Sequence, residues 1–350
     1  MLKKRIKIIV SFGLFLMILS CGTLSTLKLD VLRPAEVTID PEILSVVVVD
    51  NSLPFRGEGV HTVTTPRGTA TIDTLWIDDF SLIAAVSMAE ELKIRQFFDT
   101  VYFHVDTNLK TQLGRGNIPE SMLIERIENL CDYYDVQAVI LLESYRYKTK
   151  LSLLDLGDIY YGSMDVSGNI FWKMYDNYGN LLDSYMQSDS IFWDAAERRY
   201  SMVLNELPKQ KNSVQVLAEY LGETYINRVS PFWETVSRKY YSKGHFLFAR
   251  ANDLHFINNW EEAAKVWYYV YQKGNKRQKA LASFNIALSY EIRGDFSEAI
   301  AWGEISYKLF KKLSSLRVSN YERNIVKIYL LQLTERQRQK EKLDEQIGPL

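Results

Sequence analysis

The stretch Ala280-Leu-Ala-Ser-Phe-Asn-Ile-Ala-Leu-Ser-Tyr-Glu-Ile-Arg-Gly-Asp-Phe-Ser-Glu-Ala-Ile-Ala-Trp-Gly-Glu-Ile-Ser-Tyr-Lys-Leu-Phe310 decides the architecture of the C-terminal part of this chain. It reads as two helices joined by a tight turn. Gly294 sits where the first helix must end in a left-handed residue, and Asp295 is placed to cap the second. Ala287, Ala299 and Ser306 are small where two closely packed helices would meet, and Tyr290 supplies an aromatic on the same face.

This stretch resembles a tetratricopeptide repeat. Ile286 and Ala287 stand at the family's Leu-Gly step, Tyr290 at its aromatic, Gly294-Asp295-Phe296 at its turn, and Ala299 and Ser306 at its small contacts. The pattern recurs more weakly upstream, where Asn258-Asn259-Trp260-Glu261-Glu262-Ala263 aligns with Gly294 to Ala299 and Ala251 with Ala287. Asn258 replaces the turn glycine and also tolerates the left-handed region. Arg250 stands where an aliphatic is usual. Two repeats are few, because each needs neighbours to bury its faces. Helices from Ser213 onward are expected to supply the missing cover, with Tyr321 to Leu333 closing the stack and Arg336 to Glu345 fraying. Unrelated helical hairpins in a bundle are the alternative.

Upstream the period changes. Leu44-Ser45-Val46-Val47-Val48-Val49-Asp50 is a β-branched run expected as a buried strand. A glycine-spotted loop or loose hairpin follows from Phe55 to Thr71. Asp78 or Asp79 is placed to cap a helix with Leu82, Ala85, Val86, Ala89 and Leu92 on its core face, and Val101 to Val105 reads as a second strand. Pro119 opens the helix holding Cys131, and Val136 to Leu142 reads as a third strand. This order predicts an α/β layer whose sheet is covered by two helices. Met164, Val166, Ile170, Trp172 and Met174 then alternate with polar residues, Asp176 to Asn180 makes a turn, and Leu181 to Phe192 returns. The chain is expected to be helical from Ala195, with a cap at Asn212-Ser213 and a further helix from Pro231. The fold class read from these periods is α+β: an N-terminal α/β layer extended by an antiparallel meander, then an all-α tetratricopeptide-like domain.

At the N-terminus, Lys3, Lys4, Arg5 and Lys7 precede an apolar run from Ile8 to Leu19, and Ile18-Leu19-Ser20-Cys21-Gly22 follows. The run is too short to span ~30 Å of hydrocarbon comfortably, so it reads as a signal peptide. A cysteine at the cleavage point resembles the lipobox of bacterial lipoproteins. That resemblance implies diacylation of the Cys21 thiol and attachment to a membrane by its acyl chains. Gly22 and Thr23 supply no acidic retention signal, which favours the outer membrane and its periplasmic leaflet. The expected partition is a signal peptide at 1–20, a lipidated tether at 21–43, the sheet domain at 44–195, a helical connector at 196–243, repeats at 244–335 and a charged tail at 336–350.

Net charge is −1 but unevenly spread. Residues 22–235 hold 18 Lys and Arg against 31 Asp and Glu, whereas 236–350 hold 20 against 12. An acidic body and a basic end can address different partners, or are simply two solvated surfaces. No phosphate-binding glycine loop, His-Glu-x-x-His, Gly-x-Ser-x-Gly or Cys-x-x-Cys occurs. His61, His104, His245 and His255 are scattered, so no metal or other cofactor is expected. Cys131 has no second thiol once Cys21 is acylated, and its helical spacing with Ile127 and Leu130 buries it. Asp78, Asp79 and Glu143 are the only carboxylates offered as a hydrolytic set; the aspartates read as caps and Glu143 as a strand end at solvent.

The whole arrangement is similar to an uncharacterised family of Bacteroidota envelope lipoproteins. The likeness rests on the lipobox, the Val46–Asp50 strand, Phe171-Trp172-Lys173-Met174-Tyr175-Asp176, and Pro231-Phe232-Trp233 leading into Arg238-Lys239-Tyr240-Tyr241. It implies address and architecture, and no activity. The function expected is a non-enzymatic scaffold whose repeats bind an envelope protein or peptide, through Tyr268, Tyr269, Lys276 and Arg277, with no nucleic-acid partner. The alternative is a lipoprotein binding a glycan or small ligand in a cleft between its two domains.

Overall fold

The computed structural model describes residues 24–52, 61–72, 79–104, 122–316 and 318–348. Cys21 and Asp78 lie outside these residues. The chain is an α+β protein, sheet-rich first and helical towards its end, and it divides into two compact units.

One unit comprises the described residues of 34–232 and 345–348. Its seven-stranded sheet contains β2 (Ser45–Asp50), β3 (His61–Thr65), β4 (Gly68–Ile72), β5 (Thr100–His104), β6 (Ala138–Asp155), β7 (Tyr160–Asp176) and β8 (Leu181–Glu197). Strands β5, β2 and β6 run parallel, with Val46 paired to Val101 on one side and Ala138 on the other. β6 continues far beyond this trio. It pairs antiparallel with β7 along its length, β7 pairs with β8, and the β3–β4 hairpin joins the later half of β6.

The unbroken valine run of β2 follows from cover on both faces. Val46 and Val48 enter a core with α1 (Phe80–Arg95) and α4 (Gln210–Val229), whereas Val47 and Val49 meet α2 (Ile124–Tyr134). The alternation in β7 has the expected cause: Val166, Ile170, Trp172 and Met174 pack against Val214, Leu217, Leu221 and Tyr225 of α4. Helices α1 and α4 approach so closely at Gly222 that an added Cβ would strike the Ala84 carbonyl oxygen. The short α3 (Tyr200–Glu206) covers the far end of the same face through Val203, against Leu153 and Met164. On the opposite face, Arg146, Lys148, Lys150, Asn169, Ser188 and Ser190 are exposed.

The other unit comprises residues 24–33 and the described residues of 233–344. Helices α5 (Leu247–Phe256), α6 (Trp260–Lys273), α7 (Lys276–Ile292), α8 (Phe296–Lys311) and α9 (Asn320–Ile347) pack around Trp267, Phe284, Ala287, Ala299, Phe310 and Leu333. Asn258 (φ 60°) and Gly294 (φ 78°) take the left-handed turns expected of them. Asn259 and Asp295 accept from the backbone N–H groups of Glu262 and Glu298, and Asn275 with Gln278 forms a capping box. Ser306 donates to the Ala280 carbonyl at 2.9 Å, so its small side chain does join α7 to α8.

Several segments differ from the sequence reading. Within the expected tether at 21–43, Leu24–Arg33 forms β1, paired with β9 (Phe232–Tyr241). Leu27, Leu29 and Val31 turn inward while Lys28 and Asp30 stay exposed, a period-two pattern masked by the surrounding threonines and prolines. Pro231 therefore leads into a strand, not a helix, and the segment 196–243 is not helical throughout. The strand expected to yield at Ala195 runs on to Glu197, and α4 starts at Gln210, ahead of Asn212 and Ser213. Asp79 occupies the N-cap position of α1 without a side-chain capping bond. The tail expected to fray at 336–350 continues α9 to Ile347, with an Arg338–Glu335 ion pair at 2.6 Å and Gln346 bonded to the Ala35 backbone. Among the described residues no helix is long and apolar enough to cross a membrane.

Candidate functional site

The α5–α6 hairpin forms a cleft of about 440 Å³ on the surface of the helical unit, lined by Phe246, Leu247, Arg250, Lys265, Val266 and Tyr269. Its placement follows from the hairpin's own phase. Phe248, Ala251, Ala263, Trp267 and Val270 point into the core, so the next positions around each helix face outward. Phe246 is 80% exposed and Tyr269 53% exposed, a large apolar investment for a surface. Lys265 is held by Glu262 at 2.7 Å and Glu261 at 3.5 Å, and Arg250 is the other cation of the rim.

The residues singled out in the sequence fall in three places. Tyr269 lines the cleft. Tyr268, one residue before it, turns its ring edge to Trp302 at 5.9 Å and lies 6.3 Å from Tyr271, so it joins α6 to α8. Lys276 is the first residue of α7, and Arg277 donates to Glu322 at 2.9 Å, tying α7 to α9. Arg277 thus has structural work that its spacing could not reveal, and Tyr268, 46% exposed, combines that work with a place at the surface. Ala263, Ala287 and Ala299 are fully buried, and Tyr290 is partly buried beneath the Arg293 guanidinium at 4.3 Å.

In the sheet unit the expectation for Glu143 is corrected. It is 2% exposed, not at solvent, because a β-bulge between Leu142 and Ser144 makes it the extra residue of β6 opposite β7. Asn51 donates to its Oε2 at 3.2 Å, while Oε1 is buried without a hydrogen-bond partner. Burial pushes the carboxyl above its ordinary 4.5, opposed by the positive charge of Lys173 and the Asn51 bond. Nearby, Asp50 at the end of β2 accepts from Ser52 and from Ser81 in the first turn of α1. Asp79 is exposed. Among the described residues no group of His, Cys, Asp or Glu is arranged to hold a metal. Cys131 is buried, and burial together with Asp132 and Asp176 raises its thiol to about 11, as suits an inert core cysteine.

The raised carboxyl has a consequence for stability. Its proton is bound more tightly folded than unfolded, so this group's contribution to stability falls as pH rises from the ordinary carboxyl range through the raised value. Glu143→Gln copies the protonated form. Its advantage over wild type in thermal melting should therefore be largest at neutral pH and should shrink as pH falls towards 4.5. A difference that does not change with pH would contradict this assignment.

No curated protein matches the chain. Among solved structures, a Helicobacter pylori protein described as a neuraminyllactose-binding hemagglutinin homolog aligns over 54% of this chain and 84% of its own, at 10% identity. Its TM-score of 0.25 is too low to carry fold or function. Residues 249–335 match a domain of unknown function, DUF6340. Residues 43–241, more than half of the chain, match a second domain of unknown function, and the protein belongs to that family, DUF8603.

Proposed function

We propose that this chain is a non-enzymatic docking protein of the bacterial envelope. Acylated Cys21 tethers it to the periplasmic leaflet of the outer membrane, and its tetratricopeptide-like hairpins hold a peptide segment of another envelope protein. The observation that carries this reading is the α5–α6 cleft, which exposed Phe246 and Tyr269 line together with Arg250 and Lys265. Amphipathic segments dock by placing spaced apolar anchors in such grooves. With Lys265 already paired to Glu261 and Glu262, Arg250 is the rim cation that favours a segment also bearing carboxylates, on the last third of the chain, where 20 cations face 12 anions.

A twelve-residue peptide library displayed on phage tests the cleft whatever the identity of the natural partner. Selection on the full lipid-free chain should enrich sequences with two or more large apolar residues and flanking Asp or Glu. Phe246→Asp should abolish that enrichment and leave the melting temperature within about 1 °C, as expected for an exposed position outside the core. Enrichment that survives Phe246→Asp, or none at all, would exclude the cleft as the docking site.

A further inference from the structure

We propose that the face of the β6–β8 meander turned away from α1 and α4 binds an acidic polysaccharide. The register defines this face. Directly paired residues point to the same side of a sheet, so three successive rows read Arg146–Asn169–Ser188, Lys148–Ser167–Ser190 and Lys150–Asp165–Phe192. The adjoining row is Ser144–Phe171–Met186, past the bulge. The intervening positions Tyr145, Val166 and Ile170 belong to the core beneath α1 and α4, which fixes these rows to the opposite face. Along the strands the four rows extend roughly 20 Å, at about 7 Å per two-residue step.

The chemistry of the rows selects the ligand. In the two middle rows the centres and one edge are Asn169, Ser167, Ser188 and Ser190, an amide and hydroxyls that both donate and accept and so match a surface rich in hydroxyls. Phe171, Met186 and Phe192 supply apolar area of the kind that packs against the CH face of a sugar ring. Lys148 and Lys150 are exposed and alternate on β6, with Arg146 continuing the series. They belong to a segment of the chain, 22–235, in which anions outnumber cations 31 to 18. One carboxylate, Asp165, lies in these rows, opposite Lys150. A positive stripe on an acidic body draws sparse negative charge towards this face. Its few cations suit about one carboxylate per sugar, whereas a nucleic acid or an anionic bilayer presents charge at higher density.

Calorimetric titration of the full lipid-free chain with polygalacturonate and alginate oligosaccharides tests this. Dextran, single-stranded DNA and phosphatidylglycerol vesicles are run alongside. The expected result is saturable, salt-sensitive binding to at least one acidic oligosaccharide, with no binding to dextran. The pair Lys148→Ala and Lys150→Ala should weaken it tenfold or more, and Asn169→Ala with Ser188→Ala, which leaves charge unchanged, should weaken it severalfold. All variants lie outside the core, so unchanged melting would confirm that they remain folded. Absence of binding to both acidic oligosaccharides, binding unaffected by either pair, or equal binding to DNA or vesicles would overturn the proposal.

Discussion

Glu291→Ala is expected to destabilise the helical unit by about 3–5 kcal/mol, the range for removing one partner of a buried ion pair. Arg238 Nε and Nη2 donate to Glu291 at 2.9 and 2.8 Å, and the Tyr329 hydroxyl donates to its other oxygen at 2.8 Å. The two charged side chains are 5% and 1% exposed. Truncation would strand a guanidinium and a phenol where water cannot reach them. The carboxylate also joins three elements, β9, α7 and α9, so its loss should appear in hydrogen exchange across α7 and α9. Replacing both charges, with Arg238→Met and Glu291→Leu, should recover most of the loss. A double variant as unstable as Glu291→Ala alone would show that packing, not the stranded charge, sets the cost.

The second large effect is expected in the sheet unit, at Trp172. Its ring is fully buried, stacked on Tyr225 at 5.1 Å and 21°, and its Nε1 donates to Gln187 at 3.2 Å. Trp172→Ala should cost about 3–5 kcal/mol, because a tightly packed core collapses only partly around a cavity of this size. Gln187 would keep its Nε2–H bond to Thr224, at 2.6 Å, but its buried Oε1 would lose the indole donor, which adds to the cost. Urea titration followed by hydrogen exchange in β7 and α4 measures it. A loss below about 1 kcal/mol would mean that α4 settles into the gap, contrary to the close Gly222–Ala84 approach.

The local features that were legible in the sequence are ones in which a residue's role depends on its near neighbours. Gly294 and Asp295 marked a helix end and the cap of the next helix, and both occupy those roles. The alternation from Met164 to Met174 pointed to the inward face of β7 correctly. What stayed hidden depends on partners remote in the chain. β1 and β9 become strands by pairing with each other, yet they lie some 200 residues apart, as the Thr235–Asp30 bond shows. Nothing around Glu143 announces a bulge, so a carboxylate that looked like a solvent-facing strand end is buried instead. Arg277 reads as a free surface cation because Glu322, its partner, is 45 residues away. Of the expected surface residues, Tyr269 lines the cleft because it falls out of phase with the buried Trp267 and Val270.

The proposed docking depends on one face of one hairpin. Photocrosslinking in intact cells tests it most directly, with benzoylphenylalanine placed at Phe246 in one strain and, as a control in the sheet unit, at exposed Tyr178 in another. Docking there predicts a single discrete adduct from position 246, of constant mass, that disappears when Arg250→Glu and Tyr269→Ala are added. An identical adduct pattern from positions 246 and 178, or a position-246 adduct indifferent to those two substitutions, would contradict it.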